Sequence, residues 1–147
     1  MKFSTIALVT AAIVLTGCAA SGPKMTEMAS SIPVLKSDQG RVFFYRKASI
    51  VGAALQPSIN FDGRVVGDSK PGGFFYVDAA VGSHEAMTTT EVSNKVSFVL
   101  AAGEVKYVRT SPSLGLMVGH VTPTLVGADE AKAELTTLSY TGGSTVK

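Results

Sequence analysis

The chain holds one cysteine, Cys18, and no tryptophan. A single cysteine excludes an intrachain disulfide, so the fold must rest on a buried core, which a chain of this length can supply. Charged residues make up 16% of the sequence with a formal net charge of +2. That balance offers nucleic acid no general attraction. The longest apolar run, residues 6–15, is interrupted at Thr10 and is about half the ~20 residues that a spanning helix needs. The two histidines, His84 and His120, stand far apart with no partner at metal-ligand spacing. Metal sites take three or four protein ligands, so no metal and no cofactor is expected.

Catalytic motifs are equally scarce. Gly67-Asp68-Ser69-Lys70 lacks a glycine before the lysine and runs into Pro71 rather than a helix, so it is not a phosphate loop. Ser21 and Lys24 have the spacing of a serine–lysine hydrolase, but they fall in a breaker-rich stretch with no oxyanion donors in view. Asp62, Asp68 and Asp78 flank turns, where aspartate is ordinarily structural. The sequence nominates no enzyme.

What is present begins with Lys2, the apolar run and then Leu15-Thr16-Gly17-Cys18. A positive start, a short apolar stretch and small residues at its end describe an export signal. The last four residues resemble the bacterial lipobox. The resemblance implies cleavage before Cys18, a diacylglycerol on its sulfur and acylation of the new amine. Ala19, in place of aspartate, implies delivery to the outer membrane with the domain facing the periplasm. Without Lys2 the remainder carries twelve Lys and Arg against eleven Asp and Glu.

Residues 18–39 read as the lipidated cysteine and a tether, broken by Gly22, Pro23 and Pro33, with room for one helical turn near residues 25–31. From Gly40 short β-rich stretches alternate with turn signals. Strands are expected over 41–46, 56–61, 64–66, 74–77, 84–91, 95–100 and 105–110. Asp62-Gly63 is the strongest hairpin signal. Residues 128–138 carry apolar positions at helical spacing and predict one amphipathic helix on the sheet. Residues 141–147 read as a frayed tail. The expected architecture is mainly β: a small sandwich of seven to eight short antiparallel strands over residues 40–140, with one C-terminal helix.

Arg41, Arg46, Lys70, Lys106 and Arg109 read as a solvated surface rather than a basic face. Two uncharged segments, 48–55 and 113–119, mix small and aliphatic residues. Gly115 and Gly119 repeat the spacing of close-packed membrane helices, but the run is too short to span. Both segments read as strand and loop pieces of the core. The alternative places them side by side as an exposed apolar patch at Val51, Leu55, Leu116 and Met117, facing a partner or the bilayer surface.

Gly40-Arg41-Val42-Phe43-Phe44-Tyr45-Arg46, Asp62-Gly63-Arg64-Val65-Val66-Gly67, Lys70-Pro71-Gly72-Gly73-Phe74-Phe75-Tyr76-Val77-Asp78 and Ala102-Gly103-Glu104-Val105-Lys106-Tyr107-Val108-Arg109 occur in that order. The set resembles a family of bacterial lipoproteins catalogued as a domain of unknown function, over about residues 39–138. Its turns also resemble PEGA-type modules, which are small, usually non-enzymatic β-sandwiches, although Val81 stands where those modules often place proline. The resemblance implies a sandwich and a lipid anchor and supplies no catalytic residue. The expected function is a non-enzymatic binding or structural module of the cell envelope, held to a membrane through Cys18 and contacting an envelope protein. The alternative is a small-ligand carrier or an enzyme with a loop-built site.

Overall fold

Val42, Phe43, Phe44 and Tyr45 are all buried in β1 (Gln39–Tyr45), a strand covered on both faces. A strand so placed reads as a continuous apolar run rather than an alternation. The computed structural model of the chain describes residues 19–143. The expected signal peptide, Cys18 and the end of the tail lie outside those residues.

The elements follow in the order α1 (Met25–Met28), β1, β2 (Ser58–Phe61), β3 (Arg64–Asp68), β4 (Gly73–Ala80), β5 (Gly82–Thr89), β6 (Ser93–Leu100), β7 (Val105–Ser113), β8 (His120–Val126), α2 (Ala128–Leu135) and β9 (Ser139–Tyr140). They form a five-stranded sheet ordered β8-β7-β1-β4-β9 and a four-stranded sheet ordered β3-β2-β5-β6. The mainly β sandwich with a short C-terminal helix is therefore present.

Two details differ from the sequence reading. β1 runs parallel to β7, with Phe44 opposite Val108, and β9 runs parallel to β4. β8 has no clear strand pattern in the sequence, because Pro123 interrupts it. A proline is tolerated there because β8 is an edge strand with a neighbour on one side only.

The inner faces meet in one core built from Val42, Phe44, Ile59, Phe61, Val66, Phe75, Val77, Ala86, Phe98, Leu100 and Val108. Phe44 stacks on Phe75 at 5.3 Å and meets Phe61 edge-on at 5.7 Å. Phe43, Tyr45, Phe74 and Tyr107 point the other way and form a second core beneath Ala131, Leu135 and Leu138. α2 thus lies on the outer face of the larger sheet. Its hold is polar as well: Tyr45 donates to Glu134 at 2.7 Å, and Arg109 donates to Glu130 at 2.7 Å and to Glu134 at 3.0 Å.

The Asp62-Gly63 hairpin forms as expected, with φ of 51° and 81° at its two central residues. Positive φ at both positions gives the turn whose twist suits a hairpin. The carboxylate of Asp62 also accepts the Glu85 amide at 2.9 Å and pairs with His84 at 2.6 Å.

The stretch read as a tether lies against the body once the described residues begin. The Ala20 amide donates to Pro71 O, Tyr140 donates to Pro23 O, and Met25 donates to Leu138 O. Met25, Met28 and Ile32 pack on the second core. The apolar residues of α1 need cover, and the outer face of the large sheet offers it beside α2. The expected helical turn is there. At the other end of the chain, Thr141 is hydrogen-bonded to Phe74 O at 2.9 Å, so the tail begins only beyond it.

Candidate functional site at the loop end

Strand directions gather four connections at one end of the sandwich. β1 and β7 are parallel, so residues 46–57 and 114–119 leave the same end. β4 is antiparallel to β1, which brings residues 69–72 there, and the β5–β6 turn at 90–92 follows from the antiparallel order of the second sheet.

Two charged side chains organise these loops through backbone groups. Arg46 is 1% exposed. Its guanidinium donates to Leu55 O at 2.6 Å, Gly52 O at 2.7 Å and Ser69 O at 3.1 Å. No carboxylate faces it within these bonds, and burial pushes its pKa down from the ordinary arginine value. One buried cation therefore collects the carbonyls that residues 50–55 and 69 turn inward.

Glu91 does the converse. Its carboxylate accepts the amides of Leu116, Met117, Val118 and Gly119, the first at 3.0 Å and the last at 2.9 Å. His120 Nε2 stands 3.8 Å away. Successive N–H groups aimed at one point make an anion-binding concavity. Donation by Gly119 and Val118, ahead of the smaller desolvation cost, holds the carboxyl at about 2 rather than its ordinary 4.5. Gly115 and Gly119 make this possible: a β-carbon on Gly115 would lie 2.7 Å from both Glu91 Oε2 and the Gly119 α-carbon. The paired-glycine spacing serves loop closure, not helix packing.

The two uncharged segments lie side by side. A β-carbon on Gly52 would meet Pro112 at 2.8 Å, and one on Gly119 would meet the Leu55 side chain at 3.3 Å. Of the expected patch residues, Val51, Leu116 and Met117 are exposed, while Leu55 is half-buried between the loops. Ile50 (94% exposed), Leu114 and Val118 extend the same surface. The segments are thus loops, not the core pieces first expected. Most of the large apolar side chains left exposed among the described residues are gathered at this end. Beside them Ala19, Ala20, Ala48, Ile50, Ala53, Pro71 and Gly72 line an open groove of about 560 Å³.

The remaining candidates have structural partners. Arg41, first read as solvated, is 6% exposed and grips Asp78 at 2.6 and 2.7 Å. Arg46 is likewise a correction to that reading. Both are long chains whose stems fill space in the core while their heads satisfy oxygen atoms. Arg109 is taken by α2. His84 faces Asp62 through Nδ1 and Ala80 O through Nε2, the latter at 2.8 Å. The nitrogen that a catalytic base would aim at a nucleophile is therefore occupied. Among the described residues no cluster of three or more His, Cys, Asp or Glu is placed to hold a metal ion, and no helix is long and apolar enough to cross a membrane. Cys18 lies outside the described residues.

Sequence reasoning missed Glu91 and Arg46. Neither carries a local signature, because their partners are backbone atoms, which any residue type supplies: those of Glu91 in another loop, those of Arg46 in its own loop and at Ser69. The only available hint was the Gly115/Gly119 pair.

Residues 36–122 match the family described as Protein of unknown function (DUF2846). The chain belongs to that family. The match takes in all four loops of this end, whereas Ala19 and Ala20, which line the groove, precede it. A protein of Haemophilus influenzae named only as uncharacterized is 25% identical over 141 residues, covering 93% of this chain and 83% of that one. No solved structure matches the chain. The DUF2846 sandwich therefore has to be read from its own geometry.

Proposed function

We propose that this DUF2846 chain is a lipoprotein of the cell envelope, anchored through Cys18 and facing the periplasm from the outer membrane, whose sandwich is a non-enzymatic binding or structural module. The observation that carries the reading is the conjunction of Leu15-Thr16-Gly17-Cys18 with the position of Ala19, which lines the apolar groove at the loop end. A chain tethered from that point meets its surroundings loop end first. The non-enzymatic part is supported by the commitments of the polar side chains: His84, Arg41, Arg46 and Glu91 are all spent on internal partners. The groove is shallow and open, unlike the enclosed pockets that bury small ligands.

The test is Cys18→Ser in cells fed a labelled fatty acid. The unaltered chain should take up label and sediment with membranes, and the variant should do neither while keeping its strand-rich circular dichroism. Label on the variant, or its retention in membranes after signal removal, would defeat the anchor.

A further inference from the structure

Four independent features meet at the loop end. Aliphatic side chains stand almost wholly in solvent there: Ile50, Leu114, Leu116 and Met117 are 94%, 91%, 97% and 90% exposed. They project from two loops at the same end of the sandwich. Lys24 lines the groove that Ile50 lines, and Lys70 directly precedes Pro71 in its wall. The carboxylates nearby are committed: Glu91 to backbone amides, Glu134 to Lys47 and Arg109, Asp68 to Ser58, and Glu27 to the Lys24 amide. Ala19, bonded to Cys18, forms one wall of that groove.

A flat, closely packed patch would suit a protein partner, whose interface core needs shape complementarity. Aliphatic tips standing almost wholly clear of the body, with lysines in the neighbouring segments, suit a bilayer instead. Such tips enter the boundary between headgroups and acyl chains, and the lysine stems lie along apolar surface while their ammonium groups reach phosphates. Glu91 keeps its charge, but its four amide donors satisfy the carboxylate from within the protein, which lowers the cost of holding it near the bilayer.

We propose that the loop end is a membrane seat: Ile50, Leu114, Leu116, Met117 and Val118 insert into the interfacial layer of the bilayer that holds the lipid on Cys18, with Lys24 and Lys70 at the phosphates. This rests on the anchor reading. The sandwich then stands on the membrane in a fixed orientation instead of swinging from a tether, and the opposite end, with the Asp62-Gly63 turn, points away from the lipid.

The chemistry of the chain supplies a direct test. Lipidation consumes the only thiol, so Ile50→Cys, Met117→Cys and Val81→Cys each add a unique one to the full lipidated protein. All three positions are exposed, and Val81 lies at the far end. Each variant is labelled with an environment-sensitive fluorophore, once in isolated native membranes and once after reconstitution into phosphatidylethanolamine–phosphatidylglycerol vesicles. The seat requires blue-shifted emission and loss of quenching by iodide at positions 50 and 117 in both preparations, with full quenching at 81. Equal quenching at all three positions overturns it. Protection at 50 and 117 in native membranes but not in pure lipid also overturns it and assigns the surface to a protein partner. Failure of the anchor reading is visible separately: the unsubstituted chain would then itself react with the thiol probe.

Discussion

Glu91 accepts the amide of Gly119 at 2.9 Å, across 28 residues of sequence. That contact and its three companions fix a loop whose other side chains gain nothing from staying folded in water. The loop should therefore depend on the charge of one carboxylate. Its pKa is held at about 2 against an ordinary 4.5. A depressed value contributes stability above the ordinary value, which is lost as pH falls through the lower one. The methyl signal of Met117 should hold its folded position down to pH near 4.5 and move between there and about 2. A midpoint at the ordinary carboxyl value would show that the cradle does not form. Glu91→Ala should abolish hydrogen-exchange protection at residues 116–119 and leave the strands protected.

Arg46 presents a different dependence, because its charge is buried and its partners are carbonyls. Arg46→Met removes the donors of Leu55 O, Gly52 O and Ser69 O together. Hydrogen bonds to charged groups are worth about 1.5–3 kcal/mol, and a buried acceptor left alone costs about as much. We expect a loss on the order of 3 kcal/mol in urea unfolding. A change within about 0.5 kcal/mol, as surface substitutions give, would mean that the loops stand without it.

The contact between Tyr45 and Glu134 sets an alkaline limit. Burial first, then the hydrogen bond and charge of Glu134, push the Tyr45 phenol above its ordinary 10. A raised value gives a contribution that is complete below the ordinary value and is lost as pH rises above it. The thermal midpoint should fall above pH 10, and Tyr45→Phe should flatten that fall. At neutral pH the same substitution should cost about 1.5–3 kcal/mol, the hydrogen bond to a charged acceptor. An unchanged alkaline slope in Tyr45→Phe would assign the limit to other groups.

How far the sequence foretold this structure depended on whether each cause was local. Asp62-Gly63 specifies its own turn through two backbone angles, so it was legible. The apolar run in β1 declared a strand, and the helical spacing of Ala131, Leu135 and Leu138 declared what lies over the sheet. β8 was hidden by Pro123, because tolerance of a proline depends on lying at an edge, which only the assembled sheet decides. The parallel pairing of β1 with β7 has no local mark either. At the candidate site the apolar content of residues 48–55 and 113–119 was legible, but its meaning was not: the same residues suit a buried core or an exposed tip. What separates the two is the pair of anchors, Arg46 and Glu91, and side chains that bind backbone atoms leave no pattern of partner residue types to read.

The first described residues are laced to the last ones. The Ala20 amide is held by Pro71, Pro23 O by Tyr140, and the Met25 amide by Leu138. Gly22 lies so near that a β-carbon there would fall 1.9 Å from the Tyr140 carbonyl oxygen. A pull exerted at Cys18 would travel through these bonds one after another, opening them like a seam, before tension reached β1. In the anchored protein proposed above, the lacing would act as a mechanical fuse: stress between the envelope and the domain would be spent peeling residues 20–25 from the sandwich before it reached the core.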